Sequence, residues 1–177
     1  MKIKKIGEGI NVAPILWQLQ AHPELWDENK GRTEDPDSPH HELSDIWVRY
    51  AADTQESGAH ESIWYPCADL LGAKELVYPL MSYVNGDRLG GVLITKIPAG
   101  KECKPHTDPG WHARYYEKFA IQIQSAPGQR FCFDGESLES KPGDLYWFDN
   151  AHTHWVTNPT PNDRITMIVC IKTDKGV

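Results

Sequence analysis

The feature that most restricts this chain is a spaced set of side chains between residues 100 and 164. The first stretch reads Gly100-Lys101-Glu102-Cys103-Lys104-Pro105-His106-Thr107-Asp108-Pro109. The second reads Phe148-Asp149-Asn150-Ala151-His152-Thr153-His154-Trp155-Val156-Thr157-Asn158, with Arg164 following. His106 and Asp108 are two residues apart, so on an extended strand both side chains leave the same face and one metal can take both. With a distal histidine they make two imidazoles and one carboxylate, a set that suits non-haem Fe(II) with coordination positions left open. His152 and His154 are also two apart, and both are candidates for that third place. We take His154, because Arg164 lies ten residues later, far enough for the chain to turn and return along a neighbouring strand. Arg164-Ile165-Thr166 then puts a guanidinium and a hydroxyl on one face. The planar fork suits bidentate capture of a carboxylate, and the hydroxyl adds a further bond. A lone His-x-Asp carries little weight, and an interior histidine is more often a hydrogen-bonded core residue. The ordered series carries the reading.

From residue 90 onward the chain has the texture of many short strands separated by turns. Strands are expected over 91–97, 118–125, 130–134, 145–148, 152–157 and 165–172, with turns at Pro98-Ala99-Gly100 and Pro142-Gly143-Asp144. In a jelly roll the second and penultimate strands meet at the open mouth, where His106 and Asp108 meet His154. Cys103 stands at odd spacing from His106, which places it on the other strand face as a structural residue.

The N-terminal part is read with less regularity. A short strand is expected within residues 1–12, and a helix over 13–20 with Pro14 in its first turn. Residues 27–41, rich in charge, proline and glycine, read as loop. A strand follows over 43–51, from which Arg49 and Trp47, with Arg32 from the loop, reach toward the mouth of the site. Residues 52–66 read as loop and 68–72 as one helical turn. Residues 73–85 read as a helix with Leu76, Leu80, Tyr83 and Val84 on one face, Pro79 inside it and Gly86 as its stop.

A length of 177 residues suits one domain, with 1–88 elaborating a core at 89–174. A net charge of −7 disfavours general nucleic-acid or anionic-membrane binding. Four scattered cysteines, Cys67, Cys103, Cys132 and Cys170, form neither a zinc knuckle nor a disulfide framework, and point to a reducing, cytoplasmic setting. No apolar run reaches the length of a membrane span.

Taken with Ile97-Pro98-Ala99-Gly100, Gly143-Asp144, Trp147-Phe148-Asp149-Asn150 and Val156-Thr157-Asn158, the series resembles the Fe(II)- and 2-oxoglutarate-dependent oxygenases of the cupin-type double-stranded β-helix class. More narrowly, it is similar to the aspartyl/asparaginyl β-hydroxylase family. The resemblance spans residues 89–174. It implies a mainly β fold, a double-stranded β-helix (jelly roll, cupin-like) with N-terminal helices and loops packed on it. It implies Fe(II) on His106, Asp108 and His154, and 2-oxoglutarate held by Arg164, beside which the Thr166 hydroxyl on the same strand face is a further candidate contact. Asp108 is a departure, because some members of this branch lack the acid. A second departure is Lys118-Phe119-Ala120, where the family usually carries Arg-x-His, so Lys118 is the candidate for a charge toward the cosubstrate. The implied activity is hydroxylation of an unactivated C–H bond, of an aspartyl or asparaginyl or other amino-acid side chain, in a peptide or a free amino acid. Arg49, Trp111 and Arg114 are candidates for touching that substrate. Trp147, Trp155 and Phe119 are candidates for packing around the cavity. The alternative is a non-catalytic metal-binding cupin that binds or senses a small carboxylate ligand, which has no need of Arg164 beside the metal.

Overall fold

The computed structural model describes residues 1–53 and 58–174. Eleven strands among them form two antiparallel sheets. They are β1 (Ile3–Gly7), β2 (Ser44–Tyr50), β3 (Ile63–Trp64), β4 (Gly86–Ile97), β5 (Glu102–His106), β6 (Glu117–Gln124), β7 (Arg130–Phe133), β8 (Glu136–Leu138), β9 (Leu145–Phe148), β10 (His154–Thr157) and β11 (Arg164–Thr173). The larger sheet runs β1-β9-β6-β11-β4-β2-β3, and the smaller β5-β10-β7-β8. The fold is thus mainly β and of the jelly-roll kind. Three strands from before residue 89 extend the larger sheet, so the N-terminal part is woven into it as well as packed on it.

Alternation along β11 builds both layers of the interior. Ile165, Met167, Val169 and Ile171 point to one core, where they meet Phe119, Ile121 and Ile123 of β6. The helices α1 (Ala13–Ala21), α2 (Cys67–Leu70) and α3 (Ala73–Tyr83) cover that core through Ile15, Leu19, Ala68, Val77 and Leu80. The intervening residues, Arg164, Thr166 and Ile168, face the space between the two sheets. There Tyr146, Phe148, Phe131, Phe133 and Val156 make a second core. A strand buried on both faces allows polar residues only on the side that needs them.

Three expectations for the N-terminal part need correcting. The buried face of α3 is Ala73, Val77 and Leu80, and Tyr83 is exposed. The helix ends at Tyr83 with Val84 as its cap, and Asn85 just beyond takes the left-handed conformation (φ 52°) expected of a glycine. Gly86 begins β4 instead, where a Cβ would sit 2.6 Å from Ile171 Cγ2. The loop expected over 52–66 includes the short β3, and residues 54–57 lie outside the described residues. No described helix is long and apolar enough to cross a membrane.

Candidate metal and cosubstrate site

β5 and β10 are hydrogen-bonded neighbours, and His106 lies directly opposite His154. Their ring centroids are 4.4 Å apart. Asp108 falls just beyond β5 rather than on it. Its N–H donates to the Asn150 carbonyl at 3.1 Å, which turns the carboxylate back toward the histidines. One ligand atom from each of His106, Asp108 and His154 lies within 4.8 Å of the others. His152 points elsewhere: its Nδ1 meets the Asp149 carboxylate at 2.8 Å and its side chain is 56% exposed.

The protonation pattern of both buried rings follows from their backbone partners. His106 Nδ1 lies 2.7 Å from the Lys104 carbonyl, and His154 Nδ1 lies 2.9 Å from the His152 carbonyl. A carbonyl only accepts, so each Nδ1 carries the proton and each Nε2 presents a lone pair. Burial lowers the pKa of both rings, favouring the neutral form a metal requires. Burial alone would raise the Asp108 carboxyl. The Lys118 ammonium, 2.9 Å from Oδ2, outweighs it and holds Asp108 well below the usual carboxylate range. The other oxygen, Oδ1, faces His106 Nε2 at 3.7 Å. Lys118, expected to serve a cosubstrate, is engaged with the carboxylate.

Arg164 sits on the opposite sheet from His154, so the chain crosses between sheets after β10 instead of returning beside it. Arg164 is 2% exposed, and among the described residues its guanidinium donates to hydroxyls only. Nη1 donates to Thr166 Oγ1 at 2.7 Å, and Nη2 to Tyr146 Oη at 3.2 Å and Ser140 Oγ at 3.4 Å. Nε has no hydrogen-bond partner, and no carboxylate pairs with Arg164 among the described residues. Gln122 steadies the cradle, its Oε1 accepting from Ser140 at 2.7 Å and Thr166 at 3.3 Å. A buried cation with hydroxyl partners alone is an incomplete arrangement. The narrow cavity it lines also contains His106, Asp108, His154 and Lys118. The donor set and the incompletely paired arginine therefore fit a divalent metal beside an organic dianion.

A wider outer cavity of about 520 Å³ shares His106, Asp108 and Lys118 with the narrow one and is walled by Trp47, Arg49, Tyr50 and His112. Arg49 donates to the carbonyls of Ser62 at 2.5 Å and Leu89 at 3.2 Å. Trp111 lies off the cavity wall, its indole donating to the Gly58 carbonyl, and Arg114 is exposed and away from both cavities. Phe119 belongs to the helix-side core and Trp147 packs against it. The aromatics on the inner cavity are Phe131, Tyr146 and Phe148, which the sequence reading passed over. Arg32 and His40, from the 27–41 loop, line both cavities. Arg32 forks onto Asp45 at 2.6 and 3.0 Å and donates to Thr95 at 2.8 Å.

Residues 66–173 match the family described as Aspartyl/Asparaginyl beta-hydroxylase. No curated protein matches the chain. Among solved structures, a prolyl hydroxylase from Trichoplax adhaerens, in complex with a hypoxia inducible factor peptide fragment, is similar at TM-score 0.66 and 10% identity, over 98% of this chain and 84% of that one. A 2OG-Fe(II) oxygenase family oxidoreductase from Burkholderia pseudomallei is similar at TM-score 0.58 and 13% identity, over 76% and 70%. The viral collagen prolyl hydroxylase of Paramecium Bursaria Chlorella virus-1, in a 2OG complex, is similar at TM-score 0.56 and 11% identity, over 99% and 97%. These likenesses establish the 2OG-Fe(II) oxygenase-like fold.

Proposed function

Because the chain belongs to the aspartyl/asparaginyl β-hydroxylase family, we propose that it is an Fe(II)- and 2-oxoglutarate-dependent dioxygenase that hydroxylates an unactivated C–H bond of an amino-acid side chain, in a peptide or a free amino acid. The observation that carries the proposal is Arg164, a buried guanidinium without a carboxylate partner in the cavity that also holds the His-Asp-His set. A metal-binding cupin that takes no anionic ligand beside the metal would have no use for that cation.

In this reading His106 and His154 would hold the metal through Nε2, and Asp108 through Oδ1, since Lys118 occupies Oδ2. Arg164 and Thr166 receive the far carboxylate of 2-oxoglutarate, and the Tyr146 hydroxyl orients the guanidinium. When bound, the iron supplies the oxygen activation that couples decarboxylation of 2-oxoglutarate to succinate with hydroxylation of the substrate. Phe131, Phe148, Val156 and Ile168 exclude water from the inner cavity. The substrate enters by the outer cavity, where Trp47, Arg49 and His112 form the wall next to Asp108.

The test is anaerobic mixing of the protein with Fe(II) and 2-oxoglutarate. A weak visible charge-transfer band that forms only with both supports the oxygenase. Metal binding with no response to 2-oxoglutarate would favour the metal-binding cupin. With oxygen and candidate peptides or amino acids, mass spectrometry is expected to show a gain of one oxygen atom.

A further inference from the structure

We infer that His40, Cys103 and His106 form a second metal site, selective for thiophilic divalent ions such as Cd²⁺ or Zn²⁺, which competes with the His-Asp-His set for His106. One ligand atom from each of the three residues lies within 4.8 Å of the others. They come from two segments that are held together. The Lys104 N–H donates to the Pro39 carbonyl at 3.0 Å, which fixes the loop beside β5. The His40 ring then meets the His106 ring edge-on, at 4.6 Å between centroids.

Cys103 reaches this position through a β-bulge. On β10, His154 opposes His106 and Val156 opposes Cys103, so a step of two residues on one strand matches three on the other. The extra residue reverses the alternation of faces. Cys103 therefore shares the cavity side with His106 despite its odd spacing, and its Sγ lies 3.9 Å from His106 Nδ1.

His106 thus presents a different nitrogen to each set, Nε2 toward Asp108 and Nδ1 toward Cys103. Imidazole and thiolate ligands suit softer ions, whereas imidazole with carboxylate suits harder ones. An ion on the sulfur set forms a bond to Sγ as the thiol proton leaves to solvent. It also takes Nδ1 from the Lys104 carbonyl and moves the ring proton to Nε2, so the ring no longer offers Nε2 to the other set. The nearest charges are Arg32, paired with Asp45, and Asp108, paired with Lys118.

Cd²⁺ titration of the whole protein, without iron or 2-oxoglutarate, tests this. A near-ultraviolet thiolate-to-metal band is expected in the parent protein and in Asp108→Ala, and is expected to vanish in Cys103→Ser. Cys103→Ser and His40→Ala are each expected to weaken Cd²⁺ at least about tenfold, since even outer-sphere partners are worth about 10–100-fold in metal affinity. A parent protein with no band overturns the inference, as does a band that survives Cys103→Ser or is lost in Asp108→Ala. His40→Ala binding Cd²⁺ as tightly as the parent would remove the loop from the site. None of these readouts depends on oxygenase activity, so the proposed function stands or falls separately.

Discussion

Replacing Arg164 with methionine should weaken cosubstrate binding by more than it costs in stability. The buried guanidinium donates to Thr166, Tyr146 and Ser140, with no carboxylate partner among the described residues. After Arg164→Met, the hydroxyls of Thr166 and Ser140 keep Gln122 Oε1. The hydroxyl of Tyr146 loses its partner, at a cost of about 1–3 kcal/mol. Replacing a buried charge with an apolar side chain of similar reach can return about 1–4 kcal/mol. The free protein should therefore end between about 2 kcal/mol less stable and about 3 kcal/mol more stable than the parent, the difference of those ranges. Cosubstrate binding should instead lose about 3–5 kcal/mol, the cost of removing one partner of a buried charge pair. That corresponds to a Kd for 2-oxoglutarate raised by roughly 10² to 10³·⁵. Thermal melts of the Mn²⁺-loaded protein, with and without 2-oxoglutarate, read both quantities. A variant that unfolds readily yet keeps its stabilisation by 2-oxoglutarate would refute the assignment and make Arg164 a structural residue.

The other predictions concern the neighbouring charges. His154→Ala should lose Mn²⁺ binding by calorimetry while His152→Ala keeps it, because His152 is tied to Asp149 at the surface. Lys118→Met should tighten Mn²⁺ by up to about a thousandfold, since a unit charge about 4 Å away is worth about 4 kcal/mol at an effective dielectric of about 20; unchanged affinity would mean that Lys118 swings out of the site. Asp45→Asn should destabilise the fold by about 3–5 kcal/mol in urea, because it strands Arg32 among buried groups. Stability should also fall on acidification. Burial lowers His40 to about 2 and His112 to about 4, and lowers His106 and His154 as well. The unfolded chain therefore takes up more protons than the native one below about 6.5. Each such ring adds a slope of up to about 1.4 kcal/mol per pH unit, with full stability above that value. A flat stability profile between pH 6.5 and about 5 would show these rings to be solvated.

Spacing made part of this site readable. Arg164 and Thr166 are two apart on one unbroken strand, where alternation holds, and their side chains do meet at 2.7 Å. The apolar run at 165–172 likewise reads as a strand, and β11 is buried on both faces. Helix faces were harder to place, because Ala73 and Val77 pack as deeply as Leu80 while the larger Tyr83 stays outside. Small residues suit the close approach to the sheet, and periodicity weighted by side-chain size shifts the face by a residue.

The parity rule fails where the backbone leaves regular strand geometry, and in this protein that happens beside the histidines. Cys103 was assigned to the wrong face because one extra residue between it and His106 is absorbed by the bulge. Asp108 reaches the histidines from a loop, held there by the Asn150 carbonyl rather than by strand alternation. Pro105 fits the same account, since β5 is an edge strand and a proline there leaves no ladder bond unmade in the interior. The partners Tyr146, Gln122 and His40 come from remote parts of the chain, and only the stacking of two sheets and the anchored 27–41 loop brings them in. In the proposed reading the regular strand β11 places the cradle for the anionic cosubstrate, while the irregular edge would decide which metal the histidines accept. If that division is right, removing the extra residue of the bulge should abolish the sulfur set and spare the cradle of Arg164. Loss of both together would mean that the two sheets do not position their halves of the site independently.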